Sequence, residues 1–174
     1  MPVQYSGILG EVAAVRTATG LFDVSHMGRL EIEGPHSAKL LDRILSVRAS
    51  TLVQGRARYN LICNEEGGII DDCIVYKRSE FEFLLVPNAS NTLAVIDWIN
   101  LWKPTDAEVT ITNVTSQSAM IANQGPNAEK YLQRLTATDL SLVRPFSAVE
   151  ANVAGHPALA VSYTHLTLPT ILLV

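Results

Sequence analysis

Residues 67–76 read GGIIDDCIVY, and how this stretch is read decides the fold. The run is apolar and β-branched around a pair of acids, with a glycine pair in front of it. That composition gives a strand entered from a turn. The preceding run ARYNLIC (57–63) is a second strand, and NEEGG between them closes the two into a hairpin. Aspartate is depleted from strands, and an ionised carboxylate is costly to bury without partners, so Asp71 and Asp72 need a purpose. Side chains two apart share a strand face. Ile70, Asp72, Ile74 and Tyr76 therefore point one way and Asp71, Cys73 and Val75 the other. The two acids do not form a dyad sharing one proton. Tyr59 on the first strand lies across from the Asp72 face. That face suits an aromatic, hydrogen-bonding ligand, with Asp72 accepting hydrogen bonds from a heterocycle or steering a proton. The competing reading is structural: one acid caps the turn and the other binds backbone amides.

Outward from the hairpin, FEFLLVP (81–87) adds a third strand. ASNTLAVIDWINLW (89–102) is a helix whose stripe is Leu93, Val95, Ile96, Ile99 and Leu101. Upstream, ILGEVAAVRTA (8–18) has helical spacing. MGRLEIEGP holds a strand with one wet face, ended by Gly34-Pro35, and HSAKLLDRIL is a short amphipathic helix begun by that proline. EVTITNV and QSAMIAN are further strands. GPHSAKLLDRIL (34–45) and GPNAEKYLQRLT (125–136) share Gly, Pro, Lys, Leu and Arg in register, each after a strand. Duplication and chance both account for that echo. Strands adjacent in sequence and mixed with helices give an α+β fold with mainly antiparallel sheets and amphipathic helices.

The totals narrow the function. The 174 residues are 48% hydrophobic and 17% charged, enough for a buried core, and the net charge of −4 argues against a nucleic-acid partner. No window reads as a membrane span, and MPVQYSGILG lacks the regions of a signal peptide. Cys63 and Cys73 are expected to be buried free thiols rather than a disulfide. The four histidines have no metal-ligand spacing and no CxxC is present, so no metal is expected. DVSH (23–26) sets Asp, Ser and His side by side, but triad members meet from separated segments, so nucleophilic catalysis is not expected there.

Taken together, MPVQYSGILGEVAAVRTATGLFDVSHMGRLEIEGP, ARYNLICNEEGGIIDDCIVYK, VPNAS and IANQGP resemble the aminomethyltransferase, or T-protein, family of the glycine cleavage system. The resemblance runs from Met1 to about Ser162. It implies a partial T-protein-like folate-binding fold and a tetrahydrofolate-dependent enzyme. Such an enzyme converts aminomethyl-lipoyl H-protein and tetrahydrofolate to methylenetetrahydrofolate, ammonia and dihydrolipoyl H-protein. By resemblance Asp72 is the main catalytic carboxylate beside the pterin nitrogens, and Met27, Tyr59 and Tyr76 match positions that pack around the folate. Asn88 lies in a family-like segment but is assigned no contact. The implied partners are folate and the lipoylated H-protein. The implied compartment is the cytoplasm in a bacterium or the mitochondrial matrix in a eukaryote.

The resemblance stops before YTHLTLPTILLV (163–174), which lacks the family's next acidic motif and is set aside as a non-family tail, read as an artefactual junction with a divergent terminus as the alternative. Residues 1–162 are then a partial folate-binding region, expected to be inactive alone. Three other readings stand beside this one. They are a related folate-dependent demethylase, including the T-protein-like domain of a sarcosine or dimethylglycine dehydrogenase; a non-enzymatic folate-binding protein; and a structural or interaction role. The non-enzymatic class carries a Cys-containing KGCYxGQE-type motif, which is absent here.

Overall fold

The computed structural model describes residues 3–163 and 169–173. In chain order the elements are α1 (Ile8–Thr17), β1 (Gly20–Asp23), β2 (Leu30–Glu33), α2 (Ser37–Ile44), β3 (Ala57–Cys63), β4 (Ile69–Lys77), β5 (Glu82–Pro87) and α3 (Thr92–Trp102). There follow β6 (Thr110–Asn113), β7 (Met120–Gln124), α4 (Ala128–Leu132), β8 (Ser147–Val153), β9 (His156–Ser162) and β10 (Pro169–Leu173). The chain divides into two compact units: Ser25–Ser118, and Met1–Val24 together with Ala119–Val174.

The central unit, Ser25–Ser118, holds a five-stranded sheet in the order β3-β4-β5-β2-β6. Every pairing in it is antiparallel. Alternation sorts the side chains. Leu30 and Ile32 of β2, Cys73 and Val75 of β4, and Phe83 and Leu85 of β5 are buried on one face. Leu40, Leu41 and Ile44 of α2, with Val95 and Ile99 of α3, join the same core. The stripe expected for α3 is therefore corrected at two positions, because Leu93 and Leu101 are 72% and 71% exposed. Val95 and Ile99 are fully buried on the core side of the helix, and Ile96, Trp98 and Trp102 pack partly buried against the same core.

The other unit repeats the plan. Its sheet runs β8-β9-β10-β7-β1, again antiparallel throughout, so β3, β4, β5, β2 and β6 have counterparts in β8, β9, β10, β7 and β1. Pro169–Leu173, set aside in the sequence reading, pairs with β7 on one side and β9 on the other. The echo in sequence becomes an echo in backbone. Gly34 and Gly125 both have φ of +124°, where a side chain is strained. A Cβ on either would meet a backbone carbonyl, that of Glu108 at the first and Ala18 at the second. Ser37 N–H donates to Gly34 O, and Ala128 N–H to Gly125 O, each at 3.0 Å. The Gly-Pro corner turns a strand into a helix twice by the same geometry.

β1, β8, β9 and β10 have no counterpart in the sequence reading. β1 is four residues long with three of them exposed, and β8 shows little alternation in burial. A period-two signal needs length and one dry face, and neither strand has both.

Candidate functional site

β3 and β4 pair as the hairpin reading required, with Tyr59 opposite Ile74 and Leu61 opposite Asp72. The turn is closed by Asn64 N–H donating to Gly68 O at 2.8 Å, and by Gly67 at φ of +82°. Tyr59 and Asp72 are then diagonal neighbours on one face, within reach of a long side chain. Tyr59 Oη donates to Asp72 Oδ2 at 2.9 Å. Both residues are exposed, Tyr59 at 46%. Tyr76, expected on that same face, is 1% exposed, so its ring is closed off from solvent where Tyr59 is open to it.

Asp71 faces the core and is 3% exposed. Its carboxylate is stabilised by neutral amides. Asn88 N–H donates to Oδ2 at 2.8 Å, and the side-chain nitrogens of Asn88 and Asn91 donate to Oδ1 at 3.0 and 2.7 Å. Three donors to one buried anion compensate its lost hydration. These donors lie in the turn Ala89–Asn91 and just before it, where the chain enters α3, and a negative charge is favoured at a helix start.

Strand alternation separates the two acids, yet one side chain reaches both. Asn88 Nδ2 also donates to Asp72 Oδ1 at 2.8 Å and lies 3.1 Å from the Asp72 carbonyl oxygen. The reason lies in the register. Pro87, the last residue of β5, pairs with Cys73. Asn88 has left the ladder beside the edge of β4, so its amide spans the two faces. Both Asp72 carboxylate oxygens thus have a donor, Tyr59 on one and Asn88 on the other. The sequence reading gave Asn88 no contact. The available signal was an asparagine between a strand end and a helix start, a position that favours side-chain to backbone bonding.

Met27 lies in the segment before β2 that leans on the same strand end. Gly28 N–H donates to Pro87 O at 3.0 Å. A Cβ at Gly28 would strike Thr92 Oγ1 and Pro87 Cγ, so only glycine permits this approach. Arg29, 1% exposed, holds the segment from inside. Its guanidinium donates to the carbonyls of Met27 at 2.7 Å and Ser25 at 3.2 Å, and to those of Thr115 and Ser118.

Both cysteines are free, Cys73 buried and Cys63 partly so. Burial, followed by the nearby charges of Asp71 and Asp72, pushes the Cys73 thiol up to about 12. A neutral thiol at the core edge beside two carboxylates is a packing group, not a nucleophile. Among the described residues no group of three or more His, Cys, Asp or Glu is placed to hold a metal ion, and no helix is long and apolar enough to cross a membrane.

Comparison with known proteins bears on what such a site is for. The family described as GCVT N-terminal domain matches residues 1–166. An aminomethyltransferase of Listeria monocytogenes serotype 4a (strain HCC23) is 48% identical over 156 residues, covering 89% of this chain and 42% of that protein. The aminomethyltransferase of Bacillus subtilis (strain 168) is 43% identical over 160 residues, covering 91% and 44%. The chain therefore spans less than half the length of these curated relatives. Among solved structures, the glycine cleavage system aminomethyltransferase T from Bartonella henselae superposes with a TM-score of 0.88 at 27% identity. It covers all of this chain and 47% of that one. Heterotetrameric sarcosine oxidase from Corynebacterium sp. U-96 gives 0.66 at 18% identity over 94% of this chain and 81% of that one, a likeness of fold alone.

Proposed function

The chain belongs to the GCVT N-terminal domain family, and on that premise we propose that its residues 1–162 form the folate-facing part of a glycine cleavage aminomethyltransferase. The observation that carries the reading is Asp72. It is an exposed carboxylate with a hydrogen-bond donor on each oxygen, standing beside an exposed tyrosine.

A reduced pterin presents adjacent N–H donors on a fused ring with a planar pyrimidine half and a partly apolar, puckered reduced half, and the residues here fit such a group. Each carboxylate oxygen of Asp72 keeps an acceptor direction beyond the one already used, so the pair can take two parallel N–H donors. Tyr59 offers a ring edge or face at the same height on the sheet. Met27, in the segment fixed by Gly28 and Arg29, supplies an adaptable apolar side chain, and Tyr76 contributes beneath the surface. Tetrahydrofolate, when bound, supplies the nucleophilic nitrogen that accepts the one-carbon unit. The work of this chain is to orient the pterin and to hold a fixed negative charge where positive charge grows at the reacting amine. Because Tyr59 and Asn88 fix the carboxylate beforehand, little reorganisation is needed as the reaction proceeds.

The donor of the one-carbon unit is then the aminomethyl group on the lipoyl arm of the H-protein. The products are methylenetetrahydrofolate, ammonia and dihydrolipoyl H-protein. The relatives named above are bacterial, which favours the cytoplasm as the compartment. In the intact protein, Asp72→Asn is expected to lower kcat on the order of 100-fold and to raise the folate Kd by less than about 10-fold. Steady-state kinetics alongside equilibrium titration with 5-formyltetrahydrofolate, a stable reduced folate, reads both. Equal losses in kcat and affinity would remove Asp72 from the catalytic role. Transfer of the aminomethyl group from H-protein separates this reading from a folate-dependent demethylase, which would ignore that partner.

A further inference from the structure

We propose that Asp71 is a positioning residue for Asp72, acting through Asn88; the proposal rests on the reading of Asp72 as the ligand-facing carboxylate. An exposed aspartate on a strand turns freely among its staggered rotamers. Asp72 is held against that freedom at both oxygens, by Tyr59 at 2.9 Å and by Asn88 at 2.8 Å. Tyr59 is itself 46% exposed and makes a weak anchor alone. Asn88 is the firmer side, provided that something fixes Asn88.

Asp71 fixes it twice. Its Oδ2 takes the Asn88 backbone N–H at 2.8 Å and its Oδ1 takes the Asn88 side-chain nitrogen at 3.0 Å. The second bond matters most. A carboxamide NH2 is planar, with its two hydrogens at a fixed angle. Once one hydrogen is held by Asp71, the direction of the other is set towards Asp72, whose Oδ1 lies at 2.8 Å and whose carbonyl oxygen lies at 3.1 Å from the nitrogen. Asn91 Nδ2, at 2.7 Å from the same Asp71 Oδ1, secures the anchor with a second donor. Asp71 is 3% exposed beside Cys73 of the core, so it does not move with the surface. One amide group thus also lies between the two like charges and offsets part of their repulsion. The order runs from Asn91 to Asp71, to Asn88, to Asp72.

A purely structural role for Asp71, capping the entry to α3, would have a different consequence. Its loss would lower stability and leave the Asp72 side chain as it was. The test is therefore made on Asp72. In isotopically labelled chain, three-bond couplings from the backbone N and C′ of residue 72 to its Cγ report the χ1 angle. The unsubstituted chain is expected to give the couplings of a single staggered rotamer. Asp71→Asn places a donor against the Asn88 donors, and the couplings at Asp72 are expected to collapse towards the average of the three rotamers. Unchanged couplings in a folded Asp71→Asn chain, with only its Tm lowered, would overturn the proposal.

If Asp71→Asn does not fold, the unsubstituted chain decides. Both Asn88 side-chain hydrogens must then be protected from exchange while Asp72 holds one rotamer. An Asn88 amide exchanging as fast as a free asparagine would overturn the proposal. A separate titration with 5-formyltetrahydrofolate judges the folate reading. Absence of binding there counts against that reading and leaves the couplings to decide the role of Asp71.

Discussion

α3 and α1 stand at the same step of two matching sheets, and they are held very differently. Each precedes the strand that pairs with the strand before a Gly-Pro corner, β6 with β2 and β1 with β7. α3 places Val95 and Ile99 in the core at 0% exposure. α1 has no buried residue, and Ile8, Leu9 and Val12 are 58%, 86% and 52% exposed. Matching backbone therefore does not carry matching energetics. What a helix contributes depends on how much apolar surface it removes from water, not on its place in the order.

The sharpest way to break this comparison is truncation on the two helices. Ile99→Ala leaves a cavity in a packed core and is expected to cost about 3–4 kcal/mol. Leu9→Ala is expected to change stability by no more than about 0.5 kcal/mol. Denaturant midpoints for the two variants measure both. A cost for Leu9→Ala near that of Ile99→Ala would mean α1 is covered in solution, and the contrast would fail.

The Gly-Pro corners make the opposite prediction, because there the two units do agree in local physics. Gly34→Ala and Gly125→Ala each place a Cβ against a backbone carbonyl at φ of +124°. Each is expected to cost about 2–3 kcal/mol, and the two costs should lie close together. A large inequality would show that one corner relaxes and the other does not.

How much of this was legible in the sequence follows the same division between local and long-range causes. The limits of β3 (Ala57–Cys63) could be read from composition and the following turn, and the diagonal Tyr59–Asp72 pair followed from period two and the hairpin. The Gly-Pro corners could be seen as an echo because both recur as the same local solution. Asn88 could not be read as a site residue, since its reach to both acids depends on β5 running out opposite Cys73. The burial of Tyr76 was not legible either, because alternation gives a face and not its depth. Leu93 and Leu101 were placed on the α3 stripe for the related reason that apolar residues on a helix also occur on its wet side.

Cys73 tests the electrostatics around the acid pair more finely. Its thiol is raised to about 12, first by burial and then by Asp71 and Asp72. An unfolded cysteine ionises near 8.5, so the unfolded chain releases this proton first as the pH rises. Stability from the neutral thiol is complete below about 8.5 and declines from there towards about 12. Cys73→Ala should flatten that part of the stability–pH curve relative to the unsubstituted chain. In the native state Cys73 should also resist alkylation at pH 8 while the partly exposed Cys63 reacts. Equal labelling of the two thiols would mean the strand edge opens readily and the burial of Asp71 beside it is not maintained.

The smallest effect lies at the start of α1, and it completes the contrast with α3. Glu11 Oε1 accepts from the backbone N–H groups of Tyr5, Ser6 and Gly7 at 2.6, 2.7 and 3.0 Å. Those bonds, led by that of Ser6, hold its carboxyl below the ordinary glutamate value. α3 is entered over a buried aspartate brought from a strand, whereas α1 is entered over a half-buried glutamate of its own first turn. A depressed carboxyl stabilises the folded form above its unfolded pKa near 4.3, and that contribution is lost as the pH falls through the lower folded value. Amide shifts of Tyr5, Ser6 and Gly7 should therefore titrate together below about pH 4.3, and Glu11→Gln should abolish the step. Glu11 is half-buried and within reach of solvent, so salt should weaken the effect, while the hydrogen bonds to Asp71 at the start of α3, which is 3% exposed, should be indifferent to it. If both helix starts responded alike to salt, Asp71 would not be sequestered from solvent, and the rigid path from Asp71 to Asp72 would lose its fixed end.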